Sequence, residues 1–218
     1  GLGDVYKRQV YMQKKSTIRL ILAVLLLTFG ITTQAEIKTI KDVLGREVNV
    51  DVPVKNAVLG FYYPDYIAVT GVENFKYVKG ISREFWEKFN PGSWALFSEK
   101  MPELKNIADI GNVNTGTFST EKTLALKPDV LILAEWQYQT IGSELPKLEQ
   151  AGVPIIVVDF NAQSVERHTQ SAKIFGQLAG TEERANKIAD EYAQGITDIQ
   201  KRVKEANLPK PKIYVEFG

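Results

Sequence analysis

Residues 119–136 read STEKTLALKPDVLILAEW. Proline cannot continue a helix, so the helical pattern of residues 119–127 closes before Pro128. The five apolar residues 130–134 that follow have the length of a strand buried on both faces of a parallel sheet. Glu135 and Trp136 then stand at that strand's carboxyl end, the edge at which open α/β sheets bind ligands.

The same alternation continues on both sides. Residues 37–52 alternate apolar and polar around Leu44-Gly45-Arg46 and predict a β-hairpin. Strand-like runs at 57–61, 77–81, 106–110 and 155–159 take turns with helical segments at 64–70, 83–89 and 141–151. That order predicts an α/β lobe, a parallel sheet with flanking helices, preceded by the hairpin. Ala185, Ile188, Ala189, Tyr192, Ile196, Ile199, Val203 and Ala206 then recur every third or fourth residue. They predict a helix of about 25 residues, or about 38 Å, with Thr181 as its cap and Leu208-Pro209 as its stop. The far half of that helix is expected to expose Ile196, Ile199 and Val203. Residues 213–217 read as one more strand, expected to open a second α/β lobe beyond residue 218.

The start of the chain reads differently. Lys14, Lys15 and Arg19, the apolar stretch 20–31 and the small residues Thr33 and Ala35 have the order of a secretory signal peptide cut after Ala35. Twelve residues are too few for a bilayer span, which needs about twenty. The expected organisation is a non-native leader at 1–11, a signal peptide at 12–35, an α/β ligand-binding lobe at 36–163, a helical linker with the long helix at 164–208, and the strand of a truncated second lobe at 209–218. Residues 1–35 hold five Lys or Arg and one Asp of the 27 basic and 26 acidic residues, which leaves the exported part near −3. No basic nucleic-acid footprint is present. With no Cys, neither a disulfide nor a lipid-modified Cys is expected, and a soluble periplasmic protein is the reading.

Enzyme signatures are missing. The sequence contains no G-x-S-x-G elbow, no phosphate-binding G-x-x-x-x-G-K-[ST], no H-E-x-x-H and no Cys nucleophile. An exported enzyme fragment that works through carboxylates such as Asp109, Glu135 or Asp159 remains an alternative. Bare-metal binding by several His is not expected, because His168 is the one histidine and falls in register with Val165, Ala172 and Phe175 on a helix face.

The hairpin DVLGREVNV, the segment TFSTEKTLALKPDVLIL, the run LEQAGVPIIVVD, the helix after LAGTEERA and the closing PKIYVEFG follow one another in an order that resembles periplasmic substrate-binding proteins of ABC importers. The resemblance is to the class that binds iron-siderophore complexes, haem and cobalamin, and covers about residues 37–218. It implies two α/β lobes joined by one long helix, with the ligand between them. It further implies a permease and its ATPase as partners, a monomer, no resident cofactor and no catalysis. Glu121 matches the glutamate that docks on permease arginines in that family. A permease-independent chelate-binding protein is a second alternative.

The residues just past the strand ends are Tyr62 and Tyr63, Ser82 and Arg83 with Trp86 nearby, 112–115, 135–138 and Asn161, and ligand contacts are expected from Tyr62, Tyr63, Arg83, Trp86, Asn114, Thr115, Glu135 and Trp136 among them. Aromatic rings offer area to a bulky chelate, and Arg83 could pair an anionic group. Each has a plainer role beside this one: Tyr62, Tyr63 and Trp86 as packing residues, Arg83 as a solvated helix-start charge. Thr115 stands where cobalamin binders of the family carry an aromatic residue, which counts against cobalamin.

Overall fold

The computed structural model describes residues 36–162 and 164–216. The leader and signal segments expected at 1–35 lie outside the described residues. Strands β1 (Glu36–Lys41) and β2 (Glu47–Val52) pair antiparallel from Glu36 opposite Val52 to Lys41 opposite Glu47. Gly45 turns the hairpin at φ +80°, a left-handed value that favours glycine.

Five parallel strands form the main sheet in the order β5-β4-β3-β6-β7: β3 Ala57–Leu59, β4 Val78–Ile81, β5 Ala108–Asp109, β6 Val130–Ala134 and β7 Ile155–Val158. Every residue of β6 is buried. Val130, Ile132 and Ala134 face one hydrophobic core and Leu131 and Leu133 the other, the two-residue period of a strand covered on both sides. From β3 the chain runs outward through β4 and β5, then returns to place β6 against the other side of β3. The order therefore reverses between β3 and β6, and the sheet's switch point lies over their carboxyl ends.

Asp42 binds the hairpin to the edge strand β7. Its carboxylate, fully buried, accepts from Leu44 N (2.9 Å), Arg46 N (3.0 Å), the Arg46 guanidinium (2.6 Å from Nη2) and Val157 N (3.3 Å). Val43 N donates to Val157 O at 3.2 Å, so part of the otherwise bare edge of β7 is covered.

The helices are α1 (Tyr63–Thr70), α2 (Arg83–Phe89), α3 (Pro91–Lys100), α4 (Thr120–Ala125), α5 (Glu135–Thr140), α6 (Glu144–Gln150), α7 (Val165–Ala179) and α8 (Glu182–Ala206). The turn between α7 and α8 is tight. A Cβ on Gly176 would lie 2.4 Å from Ala185 Cβ, so the glycine permits the close approach of α8. Arg184 then donates to the carbonyls of Ala68 and Val69, both at 3.0 Å, which ties the first turn of α8 to the end of α1. Ala185 and Ala189 are buried, whereas Ile199 and Val203 are 54% and 68% exposed and Ile196 is half-buried. Among the described residues no helix is long and apolar enough to cross a membrane.

Several local expectations change. Thr181 takes the N-cap position of α8 as expected, its carbonyl accepting from Ala185 N at 3.0 Å, but its hydroxyl makes no cap bond and is buried without a partner among the described residues. Asn207, in the left-handed region at φ 44°, ends the helix before Leu208-Pro209 is reached. Helix α3 was not expected because Trp94, Ala95, Leu96 and Phe97 are consecutive and show no helical stripe; Pro91 at its first turn and Asn90, whose side chain accepts from Ser93 N, start it. Helix α5 occupies residues expected as loop. Residues 213–216 carry no regular structure, and Ile213 and Tyr214 are 77% and 84% exposed; a strand needs a partner to pair with, and among the described residues none lies beside them.

Candidate ligand site at the sheet switch point

Gly60 is the fixed point of the site. Its carbonyl accepts from Ser82 Oγ (2.5 Å), just past β4, and from Gln137 Nε2 (2.9 Å) on α5, while its N–H donates to Ile132 O (2.8 Å) on β6. Gln137 Oε1 in turn accepts from Ala134 N at 3.1 Å. Ser82 and Gln137 are buried at 1% and 0% exposure, so three strand ends are joined by hydrogen bonds shielded from water. A Cβ at Gly60 would fall 2.5 Å from Gln137 Oε1 and 2.7 Å from Leu133 Cδ2, so any larger residue would push both side chains from these positions.

Above this knot sits a floor of rings. Phe61 lies 5.2 Å, centroid to centroid, from each of Tyr62, Phe85, Trp86 and Trp136. Tyr62 extends it to Phe160 at 5.3 Å, and Phe85 extends it to Phe89 at 5.4 Å. Phe61, Phe85, Trp136 and Phe160 are half-buried.

The expected residues divide accordingly. Trp136 belongs to the floor, and Glu135 stands beside it with Oε2 3.7 Å from Arg167 Nη1 and Oε1 accepting from Gln139 at 3.2 Å. Arg167 also donates to Val43 O of the hairpin loop. Tyr62 is 5% exposed and donates to Asn161 Oδ1 at 3.0 Å, bridging the ends of β3 and β7. Burial raises its phenol above the ordinary value, so it stays neutral at physiological pH.

Tyr63 and Trp86 are corrections. Tyr63 is fully buried against Trp86 (4.9 Å), Phe97 (5.4 Å) and Trp94 (6.2 Å), and burial pushes its phenol up to about 12. Opening α1 turns its ring beneath α2 and α3. Trp86, 7% exposed, packs between Phe61 and Tyr63 and holds the floor from below. Arg83 is also turned aside: Nη1 donates to Lys105 O at 2.7 Å and Nε lies 3.5 Å from Glu87.

Asn114 and Thr115 are exposed on the loop after β5, at the sheet's other edge. Buried Asn112 organises that loop, accepting from Asn114 N through Oδ1 (2.8 Å) and from Thr117 N and Phe118 N through its carbonyl (3.0 and 3.1 Å). Gly111 cannot carry a side chain there, since a Cβ would meet Thr117 O at 1.9 Å. His168 stacks on Tyr192 of α8 (5.1 Å, 6°), with Nε2 2.7 Å from Ala162 O.

The carboxylates of the enzyme alternative are engaged. Asp109 Oδ1 accepts from Glu84 N and Gly111 N, both at 3.2 Å. Asp159 Oδ1 accepts from Asn161 N (2.9 Å) and Ala162 N (3.0 Å). Among the described residues no group of three or more His, Cys, Asp or Glu could hold a metal ion.

Glu121 is exposed in the first turn of α4, which Ser119 caps through Lys122 N at 3.2 Å. It borders a surface recess with Phe118, Thr120, Leu124, Glu144 and Lys147.

Gly60, Phe61, Phe85 and Phe160 were not among the residues expected to form the site, whereas Ser82 and Gln137 stand at strand ends where contacts were expected. Phe61 and Phe160 had a legible signal, one position before or after the residues chosen at the same strand ends. The position of Gln137 was legible, but its bond to Gly60 was not, because only the three-dimensional fold brings the two together.

Comparison with known proteins agrees with this architecture. A family profile described as "Periplasmic binding protein" matches residues 91–218. The chain is similar to a TroA-like periplasmic binding protein, FepB, from Veillonella parvula, with 30% identity and a TM-score of 0.72 over 81% of this chain and 52% of that one. Two Bacillus subtilis (strain 168) proteins are similar in sequence: the iron-uptake system-binding protein, 30% identical over 65% of this chain, and the uncharacterized ABC transporter substrate-binding lipoprotein YvrC, 25% identical over 53%. The chain spans 42% and 36% of the length of those two relatives. The family profile covers more than half of the chain, and the chain belongs to the periplasmic binding protein family.

Proposed function

We propose that this chain is the ligand-binding lobe of the extracytoplasmic solute-binding component of an ABC importer, which captures chelated iron and hands it to the membrane permease. The preferred ligand is a ferric siderophore, with haem or cobalamin as the other chelates of the class. The observation that carries the reading is the ring floor over the switch point, where Phe61 and Trp136 meet at 5.2 Å above the Gly60 knot. The iron-uptake role in the name of one Bacillus relative supports iron. Binding without catalysis fits the engaged state of Asp109, Glu135 and Asp159.

Trp136, beside Glu135 and Tyr62, would meet the ligand, with Asn114 and Thr115 reaching it from the loop after β5. Glu121 would dock on permease arginines. The organisation at 36–163, 164–208 and 209–218, monomeric behaviour and an unanchored periplasmic form belong to the same proposal; partition of the expressed protein into the detergent phase would reverse the last part. Equilibrium dialysis of the chain against ferric siderophores, haemin and cobalamin tests the whole. Saturable binding of one, with the chelate recovered unchanged, is expected; no binding of any, or conversion of the chelate, would overturn it.

A further inference from the structure

A second cavity, of about 200 Å³, opens in the helical layer between α1, α7 and α8. Of its walls only Phe160 is shared with the ring floor. Val69 and Ile188 line it with apolar groups, while Phe160, His168 and Tyr192 add rings, His168 being stacked on Tyr192 at 5.1 Å and edge-on to Phe160 at 5.8 Å. This space is smaller than the roughly 300–1,000 Å³ of drug-sized ligand sites and suits a body of a few carbons. Asp65, in the first turn of α1, is the one carboxylate among the described residues of the wall, and no Lys or Arg lies among them. It receives a hydrogen bond from its own backbone N–H and from no other described residue. Cations on the same helices are committed elsewhere: Arg184 to the carbonyls of Ala68 and Val69, and Lys173 towards Asp190 at 3.9 Å. Burial disfavours the ionised form of Asp65, with His168 as the charge partner that partly offsets it, and His168 Nε2 already lies 2.7 Å from Ala162 O. A carboxylate held at a cavity wall without a cation of its own is complementary to one brought from outside.

We propose that this cavity is a second binding site, which takes a small organic ammonium ion whose N–H groups donate to the Asp65 carboxylate and whose apolar body lies against Val69, Ile188 and the rings of Phe160 and Tyr192. The inference stands apart from the chelate reading above. Methyl groups and rings hold an alkyl or aryl body, and a ring face also attracts the positive charge. A bare divalent ion would find a single carboxylate, and no group of three or more His, Cys, Asp or Glu is assembled among the described residues. An anion would meet Asp65 with no cation beside it. Because α1, α7 and α8 each supply part of the wall, an occupant joins the long helix to the lobe at the place where Arg184 already ties α8 to α1.

The test titrates benzylammonium chloride into the isotope-labelled chain at neutral pH and follows the amide resonances, with benzyl alcohol and benzoate as the neutral and anionic counterparts and sodium chloride as the ionic-strength control. Saturable shifts at Val69 and Ile188, with a dissociation constant below about 5 mM, are expected for benzylammonium alone. Benzyl alcohol and benzoate should bind at least tenfold more weakly. Asp65→Asn should weaken benzylammonium at least tenfold, and because it removes a charge that burial disfavours, the variant is expected to fold. Ile188→Phe, which narrows the cavity and keeps the carboxylate, supplies a second reading and should weaken binding as well. Saturating benzylammonium should also raise the melting temperature of the parent chain and leave that of Asp65→Asn unchanged. Equal shifts with sodium chloride or benzyl alcohol, shifts that never saturate, or binding untouched by Asp65→Asn and Ile188→Phe would overturn the inference. Iron-chelate binding should be the same in Asp65→Asn as in the parent; its loss would merge the two sites and also overturn it.

Discussion

Gln137 and Gly60 are joined by a buried hydrogen bond of 2.9 Å that links the carboxyl ends of β6 and β3 at the place where the strand order reverses. Because the other end of the same amide accepts from Ala134 N, one side chain satisfies two backbone groups that no water reaches. Replacing it with Leu leaves Ala134 N unpaired and takes one of two donors from Gly60 O, which keeps Ser82 Oγ. Gln137→Leu should cost about 1–3 kcal/mol, the range for one stranded buried group. Urea unfolding monitored by tryptophan fluorescence measures this; a loss below about 0.5 kcal/mol would mean the knot does not hold the site.

Asp42 is a second point where one side chain holds distant elements. Its buried carboxylate pairs with Arg46 at 2.6 Å and reaches Val157 N at the sheet edge. Asp42→Ala removes the anion and strands Arg46, whose guanidinium also bonds Tyr138 Oη (2.9 Å) and Ile155 O (3.0 Å). Breaking a buried pair in this way costs about 3–5 kcal/mol. Asp42→Asn, which keeps part of the acceptor set, should lose less. Hydrogen exchange should speed up at β7 amides in Asp42→Ala, and unchanged protection there would show that the hairpin does not guard that edge.

How much of this was legible in the sequence depends on the range of the interaction. Residues 130–134 announced their strand because burial on both faces makes a run apolar throughout, and residues 182–206 announced their helix because one face had to pack while the other met water. Local chemistry was enough in both cases. Helix α3 was hidden, since Trp94 and Phe97 pack on Tyr63 from a cluster with no stripe. The site was half legible. Trp136 follows from counting past a strand, but the inward turn of Tyr63 and the diversion of Arg83 to Lys105 O depend on partners that only the fold supplies.

Asp65 should make stability fall as pH rises. It lies in the first turn of α1, and burial raises its pKa, a shift partly offset by His168 across from it on α7. Tyr192 of α8 and Tyr62 are the other titratable groups nearby. With a folded pKa above the unfolded value of about 3.9, the native state keeps the proton longer than the unfolded chain. The native state is therefore favoured below that value and loses stability as pH climbs through the folded pKa. Asp65→Asn should melt higher than the parent chain at pH 7 and together with it at pH 3. A variant that melts lower at pH 7 would show that the carboxylate is stabilised by the helix end more than it is penalised by burial.

Glu121 is the residue whose substitution tests the proposed delivery role apart from ligand capture. Its side chain is exposed on α4, away from the rings of the floor, and its neighbours Ser119 and Thr120 already satisfy the helix start and Glu144. Removing it should therefore leave the lobe intact: a surface substitution of this kind changes stability by no more than about 0.5 kcal/mol. If the carboxylate docks on permease arginines, its loss removes a charge-assisted contact worth about 1.5–3 kcal/mol, or roughly a 10- to 150-fold weaker complex. Glu121→Ala should then bind the iron chelate as the parent does while uptake by cells carrying the cognate permease falls at least tenfold. Glu121→Asp, which keeps the charge on a shorter arm, should fall in between. Uptake equal to the parent in Glu121→Ala would leave this carboxylate with the plainer role of balancing the positive end of its helix.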